Sequence, residues 1–161
     1  TWTWRLANFN DIDAIVNLSQ QHYQNEMESM IQINDFKFAR EIAHAIVNQN
    51  YNALSTQLIV AVDQQQLLAY AWIERNIYLP YSDEEIAEAR FVHINTTLSA
   101  RNRICLSAQI LQQWEQWARI CQVPVLVSST VRHSQDTFLR LHSQAGYTVR
   151  GSIAFKRLDI L

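Results

Sequence analysis

Glycine, proline and cysteine are each scarce in this 161-residue chain, with two of each. So few breakers make every one informative. No repeat, low-complexity tract or linker divides the sequence, which fits one domain able to bury a continuous core. The cysteines, Cys105 and Cys121, fall in one helical segment, a separation of roughly 24 Å along the axis. That excludes a bridge between them and favours a reducing compartment. A basic surplus is missing too: 13 basic against 15 acidic residues leave a net charge of −2, which argues against nucleic-acid or polyanion partners. There is no secretory leader pattern and no run of about 18 apolar residues. No membrane partner is therefore expected, and the protein reads as soluble and cytoplasmic. Metal-ligand spacing is absent: His22 and His44 fall on different helices, His133 in a loop, and no metal is expected. A serine nucleophile is unsupported because G-x-S-x-G does not occur.

What is present centres on residues 91–121. FVHINTTLSA alternates, with Val92, Ile94 and Leu98 apolar and His93, Asn95 and Thr97 polar. RNRICLSA reads as a short basic turn, and QILQQWEQWARIC as a long amphipathic helix. A strand running into a helix presents free N–H groups where the helix dipole favours negative charge, so the turn is a candidate phosphate seat flanked by Arg101 and Arg103. On the helix, Ile104, Ala108, Leu111, Trp114, Ala118 and Cys121 form the face expected on a sheet.

Upstream, Trp2 to Ala7 predicts a strand, and Asn10 an N-cap for a helix carrying Ile12, Ile15, Val16, Ser19 and Tyr23 on one stripe. Residues 24–34 are open between helix and loop. A second helix over Asp35 to Asn48 shows Phe36, Ala39, Ile42, Ala43, Ile46 and Val47 on one face. Gln57 to Asp63 and Leu67 to Asn76 predict a hairpin with Leu68, Tyr70, Trp72 and Glu74 on one side and Leu67, Ala69, Ala71 and Ile73 on the other. An acidic loop broken by Pro80 follows; it reads as a solvated charge run or as an attractor for a cationic amine. Downstream, Val123 to Val131 predicts a buried, parallel strand, SQDTFLRLHSQAGY a helix with Gly146 at C′, and residues 147–150 and 152–158 a closing hairpin around Gly151.

Two stretches resemble the GCN5-related N-acetyltransferase (GNAT) superfamily. The family's pyrophosphate motif, R/Q-x-x-G-x-G/A, finds a degraded counterpart with Arg103 at the R/Q position, Leu106 at the first glycine and Ala108 at the second; a register with Asn102 at R/Q is the alternative. The family's A-x-x-x-Y-x-x-x-G-F segment is matched better, with Phe138 first, His142 at the tyrosine, then Gly146 and Tyr147. The element order β-α-α-β-β-β-α-β-α-β-β also fits. The resemblance implies an α/β fold with one mixed, mostly antiparallel sheet of about seven strands flanked by helices.

It also implies acetyl-CoA as co-substrate and a primary amine, of a small molecule or a peptide, as acceptor. The cofactor would lie in the gap between splayed strands, against Thr96, Thr97 and Leu98, whose amides would serve the oxyanion. Arg101, Arg103, Ile104, Cys105, Leu106, Ser107 and Ala108 would hold the diphosphate, with Gln135 and Phe138 alongside. His142 stands where the family places a phenol as general acid; capping or packing its own helix is the other reading. For the base, His93, Glu74 and Glu88 compete with an ordered water, and His93 also reads as a satisfied core histidine. Cys105 reads as a packed thiol, the alternative being a nucleophile activated at a helix N-terminus, which the direct transfer implied by the resemblance does not need. Leu106 leaves two functions open: a transferase, or a GNAT-shaped domain that has lost efficient cofactor binding and acts as a binding or regulatory module. Tyr70 and Trp72 suggest either core packing or room for a longer acyl chain. Edge strands and exposed aromatics leave a homodimer open.

Overall fold

The computed structural model describes residues 1–27 and 30–159. Its centre is a five-stranded sheet in the order β1-β2-β3-β4-β5. β1 (Thr3–Leu6), β2 (Thr56–Asp63), β3 (Gln66–Ile77) and β4 (Ile86–Ile94) run antiparallel in succession, and β5 (Val125–Val127) joins β4 in parallel. The helices are α1 (Ile12–Gln20), α2 (Tyr23–Glu26), α3 (Asp35–Tyr51), α4 (Ala100–Ile120) and α5 (Asp136–Gln144).

Alternation along β3 divides the core. Tyr70 and Trp72 meet Ile15, Leu18, Ile42 and Ile46 of α1 and α3, whereas Ala71 and Ile73 meet Ile110, Trp114 and Trp117 of α4. Helices therefore cover both faces of the sheet. The alternation breaks at Leu67 and Leu68, which lie on the faces opposite to those expected, because a bulge at Ala61/Val62 shifts the register with β2. Tyr70 and Trp72 are core residues, 0% and 3% exposed, so they do not line an acyl pocket. In α3 the buried side turns away from the expected one. Ile42, Ala45, Ile46 and Gln49 are buried while Phe36 and Val47 are exposed, because Gln49 is drawn inward to bond both the amide and the carbonyl of Leu58.

The first helical entry starts earlier than Asn10. Asn8 caps a 3-10 turn over Phe9–Asp11, and Asp11 closes the capping box and pairs with Arg5. The central strand begins at Ile86 and ends at Ile94, so Thr96 to Leu98 fall outside it. No ladder forms over residues 147–158 among the described residues, and the sheet has five strands rather than about seven. β5 offers an edge of only three residues, too little to hold a further hairpin, and Ile153 and Phe155 stay exposed. Gly146 does take the left-handed C′ conformation, with φ +88°, closing a Schellman turn through its own N–H to Ser143 and that of Tyr147 to His142.

Candidate functional site

β4 and β5 pair only over Ile86, Ala87 and Glu88, against Val125, Leu126 and Val127. Beyond Glu88 the two diverge, and among the described residues the flank of β4 facing β5 has no ladder partner from there to Ile94. A cleft of ≈ 900 Å³ opens beside this divergence. Its walls come from the end of α2, β5 with the loop after it, α5 and the C-terminal segment.

Below the end of β4 the chain folds into a tight turn before α4. The Asn95 side chain accepts from the Thr97 amide and hydroxyl at 3.0 and 2.9 Å, the Asn95 carbonyl accepts from Leu98, and Gln21 accepts from the Thr96 amide at 3.3 Å. The amides of Thr96 to Leu98 are thus engaged within the protein, contrary to the expectation that they stand free as oxyanion donors. Ser99 caps α4 by accepting from the Asn102 amide at 3.2 Å, and the Arg103 amide donates to the Ser99 carbonyl at 3.0 Å. The helix begins before Arg103, so the amides of Ile104 to Ala108 belong to its ladder rather than to an open anion seat. The orphan donors that every helix start carries fall instead at Ala100 and Arg101. Leu106 sends its side chain into the core at 0% exposure, beside Ala61, Leu68 and Ala69, and does not plug the turn. Arg101, Arg103, Ile104 and Cys105 are exposed, with Ser107 and Ala108 half-buried. The Ser107 hydroxyl donates back to the Arg103 carbonyl. Both cysteines are free.

Gln135, Phe138 and His142 line the cleft, and so does Glu88. His142 donates from Nδ1 to the Phe138 carbonyl at 2.8 Å and stacks on the Phe138 ring at 3.8 Å. Its Nε2 is 2.8 Å from the Ser128 hydroxyl. Burial pushes its pKa below the ordinary 6.5, partly offset by the Phe138 carbonyl, so the ring is neutral at pH 7 and Nε2 accepts from Ser128. It is no imidazolium at neutral pH.

Two of the three candidate bases stand away from the cleft. Glu74 on β3 pairs with Arg90 at 3.7 Å, and the buried His93 has no path to an amine. His93 instead donates from Nε2 to Glu26 at 2.7 Å and accepts at Nδ1 from the Tyr70 hydroxyl at 2.6 Å, with the Ser19 hydroxyl 2.9 Å away. A carboxylate only accepts, which fixes this tautomer. Burial holds the Tyr70 phenol far above its usual range. His22 stacks flat on His93, 4.6 Å between ring centres. Arg132, from the loop after β5, donates to His22 Nδ1, so His22 Nε2 donates to the Ile94 carbonyl at 2.8 Å. Burial, the His93 ring and the Arg132 charge push the His22 pKa down to about 4. The link Arg132–His22–Ile94 therefore ties the loop after β5 to the end of β4 across the divergence. The acidic loop is anchored rather than free at Glu85, which accepts both prongs of Arg75 at 2.7 and 2.8 Å and sits below the usual carboxylate range for that reason.

Glu26 is the cleft residue that sequence reasoning did not find. Its signal was faint: His22 and Glu26 stand four apart, on one face of any helix through them.

No protein-family model matches the sequence, and no curated protein matches it by sequence. Solved structures do match over nearly the whole chain. A predicted acetyltransferase with acetyl-CoA from Clostridium acetobutylicum is similar over 98% of this chain and 96% of its own, with TM-score 0.72 and 13% identity. Glucosamine-6-phosphate N-acetyltransferase from Arabidopsis thaliana is similar over 99% of both chains, with TM-score 0.70 and 10% identity. Ribosomal-protein-alanine N-acetyltransferase from Brucella melitensis biovar Abortus 2308 is similar over 98% of this chain and 99% of its own, with TM-score 0.66 and 12% identity. The diverging strands, the helix that starts beneath them and this likeness establish that the chain has the GNAT fold.

Proposed function

We propose that the protein is an acetyl-CoA-dependent N-acetyltransferase acting on a primary amine of a small molecule or a peptide. The observation that carries this reading is the parting of β4 from β5 after Glu88, beside a cleft lined by His142, Phe138 and Gln135. An unladdered strand flank beside a cleft accepts an extended ligand arm as it would an added strand. The anion end of that ligand then meets the start of α4, where the amides of Ala100 and Arg101 and the side chains of Arg101 and Arg103 carry positive charge. Leu106 does not oppose this seat, since its side chain points into the core. The chemistry that acetyl-CoA supplies is an activated thioester carbonyl. Backbone donors for the oxyanion then have to come from the flank of β4 rather than from Thr96 to Leu98. His142, once protonated at Nε2, supplies a proton to the departing thiolate, and its lowered pKa confines that role to mildly acid conditions.

Glu26 and Glu88 line the cleft and outnumber Arg150 there, which favours acceptors that arrive as ammonium ions. The named activities of similar structures, on a protein alanine and on glucosamine 6-phosphate, provide the first acceptors to try. The test is release of free thiol from acetyl-CoA across a panel of amines. Acceptor-dependent release supports the reading, and none across peptides, amino sugars and polyamines counts against it. A second reading, a binding or regulatory module of the same fold, is favoured by one observation: the Arg132–His22–Ile94 link occupies an edge carbonyl of β4 where a ligand arm would pair.

A further inference from the structure

Four segments of the chain converge to fix Glu26 at the cleft wall. Its Oε1 receives the Nε2–H of His93 at 2.7 Å, and its side chain, 13% exposed, opens on the same cleft as His142. The imidazole that holds it is locked in turn by the Tyr70 hydroxyl of β3, the Ser19 hydroxyl of α1 and the flat stack of His22. A histidine that merely filled the core would be satisfied by Tyr70 and a backbone carbonyl. Here its outward nitrogen is directed instead at a carboxylate on a one-turn helix beside the cleft.

We infer that Glu26 is the group that takes the proton from the acceptor amine, with His93 as the residue that positions it. The inference rests on the transferase reading. The acceptor enters as R–NH3⁺; one N–H bond breaks and its proton passes to a Glu26 oxygen. The neutral nitrogen then forms the C–N bond as the C–S bond of the thioester breaks. A second N–H proton balances the thiolate leaving as a thiol, and the proton on Glu26 returns to water. The ligand class is therefore a primary amine that is protonated at neutral pH, and Glu26 and Glu88 are the acidic residues that meet its charge in a cleft that also holds Arg150.

The experiment uses the full chain with Glu26→Gln, whose amide oxygen can still accept from His93, so the fold is retained and is checked by melting temperature. Probes are an alanine-leading hexapeptide, glucosamine 6-phosphate and spermidine, each mostly an ammonium ion at pH 7, against 2,2,2-trifluoroethylamine, which is largely neutral at pH 7. The expected result is a loss in kcat of about 100-fold or more on the best basic amine, the scale of a positioned base. Acetyl-CoA affinity stays within about threefold, and on trifluoroethylamine the loss shrinks below about tenfold, because a neutral amine has less need of a base. A purely structural role for Glu26 would depress both amine classes alike. Equal losses on both classes, or a loss under about threefold on the basic amine, overturn the assignment. Acetyl-CoA binding with no wild-type turnover of any probe overturns it too while leaving the cofactor site standing; absence of acetyl-CoA binding overturns the transferase reading itself.

Discussion

The turn before α4 and the cleft beside β5 satisfy their polar groups in opposite ways. In the turn, most acceptors are neighbours in sequence: Asn95 serves Thr97 and Leu98, and Ser99 serves Asn102 and Arg103, with Gln21 and the Leu68 carbonyl as distant partners. In the cleft, partners meet from far apart: Glu26 with His93, Ser128 with His142, Arg132 with His22. A locally closed turn is stable but has few donors to offer a ligand. A cleft assembled from distant segments keeps titratable groups poised at its wall, and depends on the whole fold to do so.

The sharpest way to break that contrast is at Leu106. As a core side chain of the turn's helix rather than a phosphate-facing one, Leu106→Ala should lower the free energy of unfolding by about 3 kcal/mol, read by denaturant titration. A small loss together with tighter acetyl-CoA binding would show that Leu106 faces the ligand after all. Acid should strike the cleft side next. His22 has a folded pKa of about 4 against an ordinary 6.5, so the unfolded chain binds a proton first as pH falls. Stability is fully present above pH 6.5 and is lost toward about pH 4, by up to about 3 kcal/mol. His22→Gln should flatten that part of the stability profile, and an unchanged profile would remove the Arg132–His22 link as its source.

His142→Phe should lower kcat by more than about tenfold with acetyl-CoA affinity nearly unchanged. Because burial lowers the His142 pKa, the gap between wild type and variant should widen as pH falls below 6.5, where the protonated ring gains population. A gap independent of pH would make its role one of packing. The smallest effect belongs to the turn: Ser99→Ala removes the α4 cap and should cost about 1 kcal/mol, with little effect on kcat.

How much could be read from the chain follows the same division. The sheet's first three strands, both long helices and the Gly146 stop were legible, because apolar period and a left-handed glycine are local signals, whereas β4 starts at Ile86, inside the stretch that reads as an acidic loop. The start of α4 was misplaced because the basic run Arg101 to Arg103 looks like a turn, although Ser99 three residues before Asn102 is an ordinary cap. The closing hairpin was expected from alternation alone, but a ladder also needs an edge to pair with, and three residues of β5 do not offer one. That His142 and Phe138 lie side by side is legible because they stand four apart in one helical segment. The place of Glu26 is not, since its meaning lies in His93, Tyr70 and Ser19, which only the folded sheet and α1 bring to it.

Titration of the full chain with acetyl-CoA, followed by thermal unfolding, tests the central claim most directly. If the diverging strands and the start of α4 form a cofactor seat, saturation at about 100 times the dissociation constant should stabilise the fold by roughly 2.7 kcal/mol. Arg101→Ala with Arg103→Ala should then weaken binding by roughly tenfold or more, about 1.4 kcal/mol. An unfolding curve that does not move at millimolar acetyl-CoA would contradict the account.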